Sequence, residues 1–239
     1  MAKAIIIGAS SGIGRALAQV FAEQGYEVGL VARRFELLKE LQQQLPTKSF
    51  IKQIDITHTS AAIAQLQSLI QEMTDVDVCV INSGIWLNNP ECDWDKDRKT
   101  IEVNVVGFSA MANVALNYFL TKGHGHLVGI SSVSACRGEN YTPAYSASKA
   151  FVSNYLEGIR HRMAQENKKI FITDIQPGWV DTNMAKGQET FWMASARNAA
   201  VEIYSAIHKK RPHAYITSRW RLYAWLLKIS PKWFYDRFL

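Results

Sequence analysis

Short apolar runs alternate with longer segments whose apolar residues recur every three or four positions, almost from one end of the chain to the other. The runs at 3–8, 27–32, 49–54, 76–82, 126–131, 170–176 and 214–217 are nearly continuous in Ile, Val and Leu. That pattern predicts strands buried on both faces rather than a half-exposed antiparallel sheet. The periodic segments between them predict helices over 12–24, 35–44, 60–73, 94–122, 143–167 and 196–210. Such alternation builds a parallel sheet with crossover helices on both sides. The expected fold is α/β, a doubly wound Rossmann-type three-layer sandwich with a seven-stranded parallel sheet. No linker, repeat or low-complexity tract interrupts it, so residues 1–239 are expected to form one domain, with 183–239 as a pocket-forming segment and tail. Ligands of such sheets bind beyond the carboxyl ends of the strands, where the strand order reverses.

The net charge of +6 is concentrated at one end. Residues 209–239 hold eight basic side chains against one acid, Asp236, which leaves the first 208 residues at −1. A nucleic-acid enzyme spreads its basicity over a face of the fold, so no nucleic-acid partner is expected. Cys79, Cys92 and Cys136 are odd in number and lack metal-ligand spacing, which fits reduced thiols in a cytoplasm and supports no metal site. The apolar run before Gly8 is too short for a secretion signal, and no stretch reaches the roughly 18 uncharged apolar residues of a membrane span.

The first strand runs into GASSGIG and then directly into a helix. Gly8, Ser10, Ser11, Gly12, Ile13 and Gly14 are therefore candidates to cradle a pyrophosphate: glycines allow a tight turn and close approach, and a helix N-terminus offers N–H groups and a positive dipole. A plain strand-to-helix turn would also use these glycines. The second strand ends in VARR, where an acid would hold the ribose hydroxyl of NAD. Arg33 and Arg34 stand there instead, and a guanidinium pairs with a 2′-phosphate through forked hydrogen bonds, so NADP is the expected cofactor.

With GASSGIG, DIT at 55–57, NSG at 82–84, VNVVG around Asn104, ISSVS around Ser132, YSASK at 145–149 and QPGWVDT ending at Thr182, the chain resembles the classical short-chain dehydrogenase/reductase family. The resemblance implies adenine contacts for Asp55 and Ile56 and backing of the adenine ribose by Asn82 and Gly84. It also implies that Pro177, Gly178, Val180 and Thr182 hold the nicotinamide end. NSG departs from the family's commoner second Asn and Ala, and Ser83 is small enough to be compatible. The same resemblance makes Ser132 the hydroxyl that polarises a carbonyl, Asn104 a water-holding residue and Lys149 a ribose ligand as well as a partner of Tyr145. It further implies a homodimer or homotetramer. Asn104 could instead be a satisfied core group.

Tyr145 and Lys149 lie four apart and so share one face of a helix that Pro143 can open. An unperturbed tyrosine titrates near ~10. A neighbouring ammonium, helped by the positive charge of an oxidised nicotinamide, favours phenolate, which predicts a lowered value and an acid/base role. The expected activity is NADPH-dependent hydride transfer between nicotinamide and a carbonyl or secondary alcohol. An oxidative alcohol or hydroxysteroid-like dehydrogenase and a non-catalytic NADP-binding sensor remain as alternatives.

Trp179, Phe191, Trp192 and two nearby methionines suit a bulky apolar or aromatic substrate, or simply seal the core. In the tail, Leu222, Trp225, Leu226 and Ile229 fall at i, i+3, i+4, i+7, Arg221 and Lys228 share another face, and eight aromatics lie among residues 209–239. Such a segment can make a peripheral contact with an anionic membrane at its cytoplasmic face, a subunit contact or a lid over the pocket.

Overall fold

In the computed structural model, which describes residues 1–185, 192–231, 233 and 235, seven strands form one parallel sheet in the order β3-β2-β1-β4-β5-β6-β7. They are β1 (Lys3–Ile7), β2 (Glu27–Ala32), β3 (Ser49–Gln53), β4 (Val78–Ile81), β5 (His124–Ile130), β6 (Lys169–Pro177) and β7 (His213–Ile216). All seven predicted strands are present, with ends that coincide or differ by at most two residues.

Alternate residues of each strand feed two separate cores. Ala4 and Ile6 of β1, with Val78 and Val80 of β4, face the side packed by α1 (Gly12–Glu23), α2 (Phe35–Gln44) and α7 (Ala196–His208). Ile5, Ile7, Cys79 and Ile81 face the side packed by α3 (Thr59–Met73), α5 (Phe108–Lys122) and α6 (Pro143–Gln165). Burial on both faces is why these strands read as continuous apolar runs. The order reverses between β1 and β4, which opens a crevice beyond their carboxyl ends.

The helix predicted over 94–122 is divided. It runs as α4 (Trp94–Ile101), a wide π-helical turn over Glu102–Gly107 and then α5. The wider turn shifts the backbone register, a device found at functional sites. An 18-residue window of Trp94–Lys122 has the length and hydropathy to cross a membrane. More than half of that window is buried inside the fold, as in a core helix.

The tail forms α8 (Trp220–Ile229). Its buried residues are Trp220, Ala224 and Leu227, whereas Leu222, Trp225, Leu226 and Ile229, the stripe read from the sequence, are exposed. Of the predicted aromatic pocket residues, Phe191 lies outside the described residues. Trp192 is 42 % exposed and packs edge-on to Trp220, with 5.8 Å between ring centroids.

Candidate active site

β1 ends at Gly8, which turns with φ of 97°, and a Cβ there would lie 2.7 Å from the backbone nitrogen of Ser83. A Cβ at Gly14 would lie 2.1 Å from the carbonyl oxygen of Gly8, so the first turn of α1 presses on the loop closely enough to require glycine. Asn82 Nδ2 donates to the same carbonyl at 3.1 Å and ties the end of β4 to this loop. Ser11 precedes α1 without a side-chain bond to the helix, and the first turn holds no acid. That leaves a helix N-terminus with the polarity and donors to hold an anion.

Arg34, exposed at the end of β2, lies back across the loop and donates through Nη2 to Ser10 Oγ at 2.8 Å and Ser11 Oγ at 2.7 Å. Exposed Arg33 stands 3.9 Å from the carboxylate of half-buried Asp55, a solvent-screened pair of small energetic weight. Burial opposes ionisation of Asp55, but hydrogen bonds from the backbone and hydroxyl of Thr57, with the charge of Arg33, outweigh it and hold the carboxyl below its ordinary range. Ile56 packs where Gly107 of the π-helical turn leaves room. Thr182, five residues beyond β6, lies against Gly12 and so joins the segment after that strand to the start of α1.

Asn104 sits in the π-helical turn and is 1 % exposed. Its Oδ1 accepts from Ile85 N at 2.8 Å, and its Nδ2 donates to Ile85 O at 2.8 Å and Ser148 Oγ at 3.0 Å. Asn104 thereby clamps the loop after β4 to α6. A Cβ at Gly84 would meet Lys149 Nζ at 3.2 Å and Asn104 Oδ1 at 3.3 Å, so glycine there keeps the two side chains in one small space.

Ser132, Tyr145 and Lys149 converge beyond β5. Ser132 is buried, accepts from Ser134 N at 3.1 Å and hydrogen-bonds the phenol of Tyr145. Lys149 Nζ donates to Ile130 O at 2.9 Å and lies 5.7 Å from the centroid of the Tyr145 ring. Burial pushes Tyr145 up to about 12, opposed by the Ser132 hydrogen bond and reinforced by Glu139. Burial likewise lowers Lys149 to about 8, with Asp174 acting in the other direction. Among the protein's own groups, desolvation of the phenolate is the largest influence on Tyr145. Such a tyrosine keeps its proton through the neutral range, which suits it to donate rather than accept one.

These elements enclose one cavity of about 550 Å³. Gly8, Ser10, Ser11, Gly12, Ile13, Arg33, Arg34, Asp55 and Ile56 line one end, and Asn82, Gly84, Ser132, Tyr145 and Lys149 the middle. Pro177, Gly178 and Val180 line the far side and Thr182 reaches back to Gly12, whereas Gly14 and Asn104 are not among the lining residues. The cavity has the size of a ligand site, and its loop and open helix N-terminus fit the pyrophosphate of a dinucleotide.

The sequence did not reveal how the substrate end is closed. Trp86, Trp179, Met184, Trp220, Tyr223 and Leu227 line it, so α8 supplies part of the wall. Arg137, five residues after Ser132, donates to Leu227 O at 3.3 Å and Ser230 O at 3.1 Å, and its guanidinium lies 4.7 Å from the centroid of Tyr235. Tyr235 OH donates to Gly138 O at 2.6 Å. Gly178 leaves room for the Trp220 ring, which a Cβ would meet at 2.1 Å. The tail is thus latched over the pocket from the loop that carries Ser132.

The profile of the family described as short chain dehydrogenase matches residues 2–191. An uncharacterized oxidoreductase of Staphylococcus epidermidis is 31% identical over 188 residues, covering 78% of this chain and 81% of its own. One of Mycobacterium tuberculosis is 31% identical over 226 residues, covering 87% and 85%. Among solved structures, serine dehydrogenase from Escherichia coli superposes with a TM-score of 0.76 at 25% identity, covering 85% of this chain and 90% of that one. With the fold, the ordered motifs and the convergence of Ser132, Tyr145 and Lys149, these matches establish that the chain belongs to the short-chain dehydrogenase family, oxidoreductases acting on CH–OH and C=O groups.

Proposed function

We propose that this oxidoreductase is an NADPH-dependent carbonyl reductase for a bulky apolar or aromatic substrate. The observation that carries the reading is one cavity holding the glycine loop and arginine pair at one end, the Ser132–Tyr145–Lys149 cluster in the middle and an aromatic enclosure at the other. When bound, NADPH supplies the hydride. The GASSGIG loop would hold its pyrophosphate, Arg33 and Arg34 its 2′-phosphate, and Asp55, Ile56, Asn82 and Gly84 its adenosine half. Pro177, Gly178, Val180 and Thr182 would hold the nicotinamide half, with Lys149 at the adjoining ribose. Tyr145 Oη delivers a proton to the carbonyl oxygen, and Ser132 Oγ donates a hydrogen bond to the charge developing there. Asn104 positions α6 through Ser148, while Trp220, Tyr223 and Leu227 keep water from the reacting carbon. A panel of lipid-like and aromatic carbonyl compounds tests this reading. Consumption of NADPH at least tenfold faster than NADH is expected, and no carbonyl-dependent oxidation of either would refute it.

The reading also takes the chain as a homodimer or homotetramer in a cytoplasm, with the outer face of α8 touching a membrane. Support for the contact is that Leu222, Trp225, Leu226, Ile229 and Trp233 are each about half exposed or more, while residues 209–235 carry cations and no acid. At low salt the protein should sediment with anionic vesicles, and Trp225→Glu should abolish this. Failure of the unaltered protein to bind removes the membrane from the reading.

A further inference from the structure

Beneath the proposed reaction centre lies a buried carboxylate that the chemistry above does not use. Asp174 of β6 is 2 % exposed. Ser131, the residue before Ser132, donates its hydroxyl to Oδ1. Ser153, one helical turn after Lys149, donates to Oδ2 at 2.6 Å, and Gln176 Nε2 donates to the same oxygen at 3.0 Å. Three donors converge on a carboxylate whose oxygens are divided between a strand and a helix.

We propose that Asp174 is a positioning residue of this site: its carboxylate ties the strand end that carries Ser132 to the helix that carries Tyr145 and Lys149. A carboxylate costs several kcal/mol to bury and persists only when its donors compensate. Gln176 belongs to β6 itself, but the other two compensating donors, Ser131 and Ser153, belong to the two elements whose relative position sets the spacing of Ser132, Tyr145 and Lys149. A merely structural link could use a neutral Asn. The charge adds a second effect, because Asp174 opposes the loss of the Lys149 proton that burial promotes. Other groups surround it as well. His213 of β7 lies 3.9 Å from Oδ2 and is itself held below its ordinary value, first by burial, with Lys228 of α8 and Arg160 of α6 lowering it and Glu157 raising it. Tyr215 of β7 and Cys136 also face Asp174.

The catalytic role of this tie rests on the proposed function, but the effect on Lys149 is measurable without turnover or cofactor. Competitive acetylation of the full-length protein across pH, read by mass spectrometry of the peptide containing Lys149, reports when that amine loses its proton. Asp174→Asn keeps the shape and removes the charge, so Lys149 should titrate about one pH unit lower than in the unaltered protein. An unchanged Lys149 titration in folded Asp174→Asn would overturn the electrostatic half. The double variant Ser131→Ala/Ser153→Ala keeps the charge and loosens the tie, and remains informative if Asp174→Asn does not fold. It should titrate at Lys149 as the unaltered protein does and lose about tenfold in kcat. Full kcat in that variant would overturn the positioning half. An unaltered protein that reduces no carbonyl counts against the proposed function, whereas the labelling result stands or falls by itself.

Discussion

Tyr145→Phe is expected to retain NADPH affinity and thermal stability while lowering carbonyl reduction about a thousand-fold. That corresponds to about 4 kcal/mol of transition-state stabilisation. The phenylalanine ring fills the same volume, so the wall beside Lys149 stays intact. What disappears is the Oη proton and its hydrogen bond with Ser132. The protein's own groups push Tyr145 up to about 12, so the lost group is one that is protonated throughout the neutral range. In single-turnover NADPH oxidation, the missing step should appear in the rate and not in the amplitude of cofactor binding. Turnover at the original rate would assign the proton to another group, with Ser132 the nearest hydroxyl.

The second large effect concerns cofactor choice. Replacing Arg33 and Arg34 together with Ala should weaken NADPH binding about a hundred-fold and leave NADH binding within a few-fold, since hydrogen bonds to charged groups contribute about 1.5–3 kcal/mol each. Arg34 bonds Ser10 and Ser11 and also braces the phosphate loop. The single variant Arg33→Ala separates the two roles: it removes an exposed guanidinium whose protein partner is Asp55, 3.9 Å away. Fluorescence titration with both nucleotides measures the ratio. An equal loss for NADPH and NADH would mean that the arginines serve the loop and not the 2′-phosphate.

Much of this architecture was legible in the chain because its signals are local. Strands buried on both faces must be apolar at successive positions, and Ala4 to Ile7 shows this directly. Gly8 and Gly14 mark a backbone that approaches itself closely. Features that depend on partners distant in sequence were not legible. Apolar spacing does not distinguish the π-helical turn at Glu102–Gly107 from the α-helices on either side, yet that turn brings Asn104 against Ile85 and Ser148. In α8, Trp220, Tyr223, Ala224 and Leu227 satisfy the same i, i+3, i+4, i+7 rule as Leu222, Trp225, Leu226 and Ile229, offset by two residues. The space above Gly178 decides which set turns inward. Asp174 gave no signal because its donors Ser131 and Ser153 come from a different strand and a helix. The burial of Tyr145 and Lys149 was not legible either, because a sequence shows that the two are neighbours but not how far both are removed from water.

Direct hydride transfer in this cavity is the central claim, and isotope transfer tests it most directly. NADPH carrying deuterium at the transferring position of the nicotinamide should be incubated with a bulky aromatic ketone and the protein, and the product examined by mass spectrometry and NMR. The account predicts one deuterium on the carbinol carbon of the alcohol. Alcohol formed without deuterium at that carbon, or no alcohol from any carbonyl compound offered, would contradict it.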